Sequence, residues 1–247
     1  MILLRSVVFN LWFYAATLVL AVAALWPRSG PPERGEDWAL AVAQCWARTV
    51  LGGLRWICGI TWVVTGRENL PASGTALIAS NHQSAFDTMV WLLLVPRACY
   101  VVKRELLHVP IFGPACKRTG MIMVDRGAGG AAIRTLLREA DRAMAENRQI
   151  VIFPEGTRVA PGATLPLQPG VAALASRTRL PLIPVATDSG YCWGRRAFRK
   201  RPGVIHIAVG APFPAGMKRE ELMQRLEQAL VEGQAGIARA GPGAPTI

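Results

Sequence analysis

Hydrophobic positions along this chain follow two regimes. Residues 7–26, VVFNLWFYAATLVLAVAALW, run without a charge, with Arg5 and Arg28 on either side. As a helix such a run is about 30 Å long, close to the thickness of a bilayer's hydrocarbon core. A signal peptide is the competing reading, because AVA at 21–23 resembles a cleavage site, but the apolar run is long for one. PRSGPPERGED follows, a linker by its proline, glycine and charge content. Residues 38–64 are apolar again but interrupted by Gln44, Arg48 and Arg55. That spacing puts the three on one face of a helix and predicts an amphipathic segment over 38–62, lying in an interface or packed under the first helix. Residues 1–62 are therefore expected to form a membrane-associated helical hairpin.

From residue 63 the pattern shortens. Apolar, β-branched runs recur at 75–80, 99–102, 121–124, 149–153, 180–187 and 204–210. Between them lie helical patterns: an apolar stretch at 86–95, the stripe Ile133, Leu136, Leu137, Ala140 and Met144, and a second stripe of Leu222, Leu226, Ala229 and Leu230. Strands alternating with helices predict an α/β fold, a mostly parallel sheet with helices on both faces. This second domain spans 63–240, and residues 241–247 form an expected disordered tail.

Composition sharpens this picture in three places. The chain carries 28 basic and 16 acidic residues, a net charge of +12, which attracts phosphates of nucleic acid, nucleotides or lipid headgroups. No nucleic-acid-binding motif accompanies the charge, and the charge sits beside membrane segments, so no nucleic-acid partner is expected. One basic cluster, RRAFRKR at 195–201, needs no catalytic role and suits docking on phosphates. Six tryptophans, at 12, 26, 38, 46, 56 and 62, fall in the first 62 residues, consistent with headgroup-level anchoring. The five cysteines are scattered without CxxC spacing, which predicts buried free thiols rather than a disulfide framework or a zinc site.

Candidate chemistry gathers where buried strands end. SNHQSAFD at 80–87 puts His82 after the strand at 75–80 and Asp87 in the first turn of the next helix. α/β sheets place ligands at such carboxyl ends. A loop that folds back lets Asp87 fix one imidazole nitrogen and leave the other as a base. IFPEGTR at 152–158 follows another strand and offers Glu155, Gly156, Thr157 and Arg158 at one turn. An arginine fork matches phosphate oxygens, while Glu155 would orient that arginine or accept from a substrate hydroxyl. The stretch 102–126 is basic, with Lys103, Arg104, Lys117, Arg118 and Arg126, the last again just after a strand. Ser84 lacks a nucleophile elbow, His108 and His206 read as structural, and the three histidines show no metal-ligand spacing.

NHQSAFD, KRELLHVPIFGPACKRTGMIMVDR, FPEGTR and PLIPVA, in this order, strongly resemble the glycerolipid acyltransferases, and among them the bacterial 1-acyl-glycerol-3-phosphate acyltransferases. The resemblance runs over residues 64–213. It implies transfer of a fatty acyl group from an acyl-CoA or acyl carrier protein thioester to a lysophosphatidic acid, giving phosphatidic acid. It makes His82 the general base and Asp87 its partner. Glu155, Gly156, Thr157 and Arg158 would meet the glycerol phosphate, with Lys103 and Arg126 adding charge. It implies no cofactor beyond the thioester co-substrate, a membrane phospholipid environment, and a site facing the cytoplasm at the cell membrane. Gln168-Pro169 and Val159 depart from the family's pattern. Those departures bear on the acceptor, so another lysolipid, such as lyso-ornithine lipid, is the alternative substrate. A non-enzymatic protein binding anionic lipid is the alternative class, but it would have no use for His82 beside Asp87.

Overall fold

The computed structural model describes residues 1–26 and 32–240, apart from the side chains of residues 32–35, 126 and 240. The expected tail at 241–247 and residues 27–31 of the expected linker lie outside the described residues.

Two long helices come first, α1 (Ile2–Ala24) and α2 (Pro32–Gly53). They run antiparallel, and three tryptophan indoles join them. Trp38 donates to the Ala23 carbonyl at 3.0 Å, Trp46 to Thr17 Oγ1 at 2.9 Å, and Trp12 to the Thr49 carbonyl at 3.2 Å. Here tertiary packing corrects the headgroup reading of the tryptophans. An indole N–H inside a helix pair must find an acceptor, and these three find one across the hairpin. Trp62 packs edge-on to Phe86, whereas Trp26 and Trp56 remain exposed.

The second helix differs from expectation at both ends. It starts at Pro32, inside the expected linker, because proline fits a helix's first turn. It does not reach residue 62. A π-helical turn, Leu54–Cys58, ends on left-handed Gly59, and Ile60–Thr65 is a strand, β1. TWVV reads equally well as helix or strand by hydrophobicity, and only pairing to a neighbour decides.

The remaining strands are β2 (Ala76–Ser80), β3 (Ala98–Lys103), β4 (Ile122–Val124), β5 (Gln149–Ile152), β6 (Leu182–Thr187) and β7 (Gly203–Val209). The helices are α3 (Phe86–Leu94), α4 (Phe112–Arg118), α5 (Gly130–Ala145), α6 (Gly170–Thr178) and α7 (Arg219–Ala240). One seven-stranded sheet has the order β1-β7-β6-β2-β5-β3-β4. All pairings are parallel except β6 with β7.

Helices cover both faces of the sheet. On one face α1, α2, the π-helical turn and α3 pack Phe9, Leu51, Leu54, Phe86 and Trp91 against Ile78, Val151 and Ile205. On the other, Leu136 of α5, Val171 of α6 and Leu222 and Leu226 of α7 meet Leu77, Ile150 and Leu182. The two stripes read from the sequence supply that second face. A fully buried leucine contributes about 1.5–3 kcal/mol relative to exposure, so Leu226 alone is a substantial anchor.

Strands β2, β5, β3 and β4 are adjacent and parallel, so their carboxyl ends share one edge.

Candidate active site

The segment after β2 is held from both sides. Asn81 extends the pairing of β2 to β6 with its side chain. Its Nδ2 donates to the Thr187 carbonyl at 3.0 Å, and its Oδ1 accepts from the Thr187 N–H at 2.7 Å. Gln83 Oε1 accepts from the Gly190 N–H at 3.1 Å. On the other side, the His82 N–H donates to Glu155 Oε1 at 3.3 Å, and the His82 carbonyl accepts from the Val159 N–H at 2.7 Å. His82 is thus pinned by its own backbone to the turn that follows β5.

The expected histidine–carboxylate pair is present. His82 Nδ1 lies 2.9 Å from Asp87 Oδ2. The same oxygen accepts from the Gln83 and Ser84 N–H groups, each at 2.8 Å. Asp87 stands in the first turn of α3, where the helix dipole favours a carboxylate by about 0.3–1 kcal/mol. Ser84 is fully buried and its Oγ accepts from the Phe86 N–H, so it is used as a turn-forming cap. Phe153 stacks on the His82 ring with centroids 4.1 Å apart, fixing the plane of the imidazole. With Nδ1 engaged, Nε2 is the free nitrogen.

Glu155 differs from one expectation. It does not orient Arg158; its Oε1 faces the His82 backbone, and among the described residues Arg158 has no carboxylate within ion-pair distance. Burial, with the Asp87 charge adding to it, pushes the Glu155 carboxyl up to about 7, against the opposing backbone hydrogen bonds. Its Oε2 is buried without a hydrogen-bond partner. Gly156 closes the turn at φ 69, with its N–H on the Phe153 carbonyl at 3.0 Å. A side chain there would be strained. Burial lowers the Arg158 pKa; the Asp87 charge opposes this, and Arg195 and Arg196 nearby reinforce it. Thr157 is half-buried.

His82, Asp87, Glu155 and Arg158 therefore come together. Lys103 ends β3, exposed, and Arg126 opens a 3-10 turn after β4. Both backbones share the site's edge, but at about 4.8 Å per strand they are roughly 10 Å and 14 Å from β2. The Arg126 side chain lies outside the described residues. A cleft of about 490 Å³ joins this stretch, lined by Val101, Val124, Ile133, Phe153, Glu155 and Gly156. Among the described residues no group of three or more His, Cys, Asp or Glu is placed to hold a metal.

Sequence reasoning missed three things. Asn81 and Gln83 had no role, although two amide side chains in an otherwise small-residue motif hint at a clamp. For His206, read as structural, the partner was not foreseen: its Nδ1 lies 2.9 Å from Asp188 Oδ2. His108 is exposed on a 3-10 turn rather than packed in an apolar stretch. The cysteines are all free; Cys58, Cys99 and Cys192 are buried as expected, whereas Cys45 is exposed on α2. Burial pushes the Cys99 and Cys192 thiols each up to about 11, which leaves them unreactive.

A histidine held by a carboxylate at the strand ends of a parallel sheet is suited to moving a proton for a transfer reaction. Comparison with known proteins agrees. Residues 62–188 match the Acyltransferase family model. The 1-acyl-sn-glycerol-3-phosphate acyltransferase of Pseudomonas aeruginosa is 31% identical over 239 residues, 95% of this chain and 92% of that protein. The alpha form from Bos taurus is 32% identical over 180 residues, 71% of this chain and 62% of that protein. The crystal structure of the Thermotoga maritima 1-acyl-sn-glycerophosphate acyltransferase superposes with a TM-score of 0.77 at 22% identity, covering 96% of this chain and 98% of that one. The fold is shared, and the chain belongs to the acyltransferase family.

Proposed function

We propose that the protein transfers a fatty acyl group from a thioester to the sn-2 hydroxyl of lysophosphatidic acid, giving phosphatidic acid. The observation that carries this reading is the His82–Asp87 pair, seated beside an unpaired Arg158 in a chain whose relatives bear that activity in their names. His82 Nε2 takes the hydroxyl proton as the oxygen attacks the thioester carbonyl. The tetrahedral intermediate collapses, the C–S bond breaks, and the departing thiolate takes the proton back from the imidazolium. Asp87 keeps the proton on Nδ1 and stabilises the charged ring. Such catalysis supplies about 10²–10⁴ in rate. No acyl-enzyme is needed, since the donor is already activated, and no cofactor or metal is needed beyond the thioester of coenzyme A or an acyl carrier protein.

Arg158 takes the acceptor phosphate, with Lys103 and Arg126 adding positive potential along the edge. Glu155 meets the glycerol: a carboxyl that titrates near neutrality accepts or donates a hydrogen bond as required.

The acceptor is a lipid, so the site belongs at a membrane, on the cytoplasmic side where thioesters are made. α1 is the helix long and apolar enough to cross one among the described residues. Its bonds favour a different seat. Ser6 and Asn10 near its start hold Lys200, and the Leu25 carbonyl at its end accepts from Arg118 at 2.6 Å. Gln44 of α2 donates to the Pro96 carbonyl. A hairpin tied along its length to the domain lies in one leaflet, and this spares Arg48 a crossing worth roughly 2.5–3.5 kcal/mol at the bilayer centre. Purified protein with a labelled acyl thioester and a panel of lysolipids tests the reaction. Transfer to lysophosphatidic acid above other lysolipids is expected; preference for a lysolipid without a phosphomonoester would overturn the acceptor assignment.

A further inference from the structure

The segment from Tyr191 to Arg201 is not used by the chemistry above. It carries Arg195, Arg196, Arg199 and Arg201, all exposed. Among the described residues none of the four has a carboxylate within 4.0 Å. Two aromatic rings stand out beside them, Tyr191 at 64% exposure and Phe198 at 51%. Like charges so close repel one another, so an anionic counterpart is strongly favoured there.

The fifth cation behaves differently. Lys200 is 2% exposed. Its Nζ donates to Asn10 Oδ1 of α1 at 2.6 Å and to the Phe198 carbonyl at 2.9 Å. The same ammonium lies 5.0 Å from the Trp193 ring and 5.5 Å from the rings of Phe9 and Phe198. Its backbone N–H donates to Ser6 Oγ at 2.9 Å. Trp193 also meets Phe9 and Phe13 edge-on. A buried lysine caged by aromatic rings is a strong tether, and burial lowers its pKa. Ser6, Phe9, Asn10 and Phe13 form one face of α1; other faces of that helix expose Leu3, Leu4, Leu11 and Tyr14. The basic segment is therefore fixed alongside a helix whose remaining surface is apolar and open.

We propose that Tyr191–Arg201 is a second docking element for an anionic phospholipid surface, with its four exposed arginines on lipid phosphates and Phe198 and Tyr191 at headgroup level. Lys200 holds the segment level with α1. The charge complements phospholipid headgroups, and the exposed rings beside an apolar helix suit a lipid boundary. The proposal rests on α1 lying in lipid, as argued above, but not on the acyl transfer reaction.

The test uses the full chain in vesicles of phosphatidylcholine, alone or with a minority of phosphatidylglycerol. In a Cys45→Ser, Cys116→Ser background, single fluorophores are placed through Leu11→Cys on α1, Phe198→Cys on the segment, and Ser176→Cys on the opposite face of the sheet. Quenching by headgroup spin-labelled lipid is then read. Quenching is expected at 11 in both vesicles, at 198 chiefly with the anionic lipid, and not at 176. Arg199→Gln with Arg201→Gln should remove most of the signal at 198, because each arginine near the surface contributes about fivefold in affinity. That pair should still transfer acyl groups at the wild-type rate in neutral detergent micelles. Quenching at 11 but none at 198 would overturn the docking element. An unquenched probe at 11 would remove the seat on which it depends. Quenching at 198 that is the same with and without the anionic lipid, and unchanged by Arg199→Gln with Arg201→Gln, would overturn the role of the arginines. A loss of micellar transfer in the double variant, with quenching intact, would assign the arginines to the acceptor instead.

Discussion

Among the described residues, two histidine–aspartate pairs have the same length. His82 Nδ1 lies 2.9 Å from Asp87 Oδ2, and His206 Nδ1 lies 2.9 Å from Asp188 Oδ2. In both, the carboxylate also accepts a backbone N–H. Their surroundings differ. Asp188 binds the N–H and the ring of one residue, so that pair closes on itself within β7 and the end of β6. His206 sits mid-strand, opposite Val63 of edge strand β1. His82 emerges at the carboxyl end of a central strand, with Phe153 on its face, Glu155 against its backbone and Arg158 in the next turn. The shared geometry fixes an imidazole. Proton transfer to a substrate needs the second set of neighbours as well.

The largest effect that separates the pairs is expected from the carboxylates. Asp87→Asn should lower turnover by roughly 10²–10⁴, because the amide no longer enforces the tautomer. Asp188→Asn should leave turnover within about tenfold of wild type, below that range. Arg158→Ala comes next. It should reduce kcat/KM for the lysolipid by about 10–100-fold, as expected for a lost charge-assisted hydrogen bond, and affect the thioester much less. Arg158→Lys should restore only part of it, since the fork is gone. Equal losses for both substrates would move Arg158 out of the acceptor site.

Glu155 offers a pH-dependent contrast. Its carboxyl is raised from 4.5 to about 7 in the folded protein, so the native state binds more protons between those values. Stability falls as pH rises through that window, and the stabilising contribution is whole only below about 4.5. Glu155→Gln should therefore raise stability at pH 8, on the order of 1–3 kcal/mol, and give no gain near pH 4. Melting temperatures across that range check the sign, while acyl transfer falls at every pH. The smallest effect is expected at the closed pair. His206→Ala should cost about 1–2 kcal/mol, a melting shift of about 2–4 °C per kcal/mol, with the reaction largely retained.

Much of this was legible in the sequence, for physical reasons. Buried parallel strands carry continuous apolar runs, and six of them stood out with their α5 and α7 stripes. Polar clusters after three of those runs located the edge where His82, Asp87, Glu155 and Arg158 meet. β1 was hidden because a pairing partner, not hydrophobicity, makes TWVV a strand. α4 was hidden by shortness, whereas α6, as long as α3, lacks the continuous apolar run that marked α3. The Asp188–His206 pair was hidden because 18 residues separate its members and only the antiparallel return of β7 brings them together. The Lys200 cage was hidden within a run of arginines, where charge argues for exposure and only the fold buries one member.

The most direct test compares His82→Asn with His206→Asn in the same acyl-transfer assay, each checked for a cooperative melt. With folded protein in both cases, His82→Asn should transfer about 10³-fold more slowly than wild type, while His206→Asn stays within about tenfold. Transfer by His82→Asn near the wild-type rate, or equal losses in the two variants, would contradict the assignment of His82 as the base.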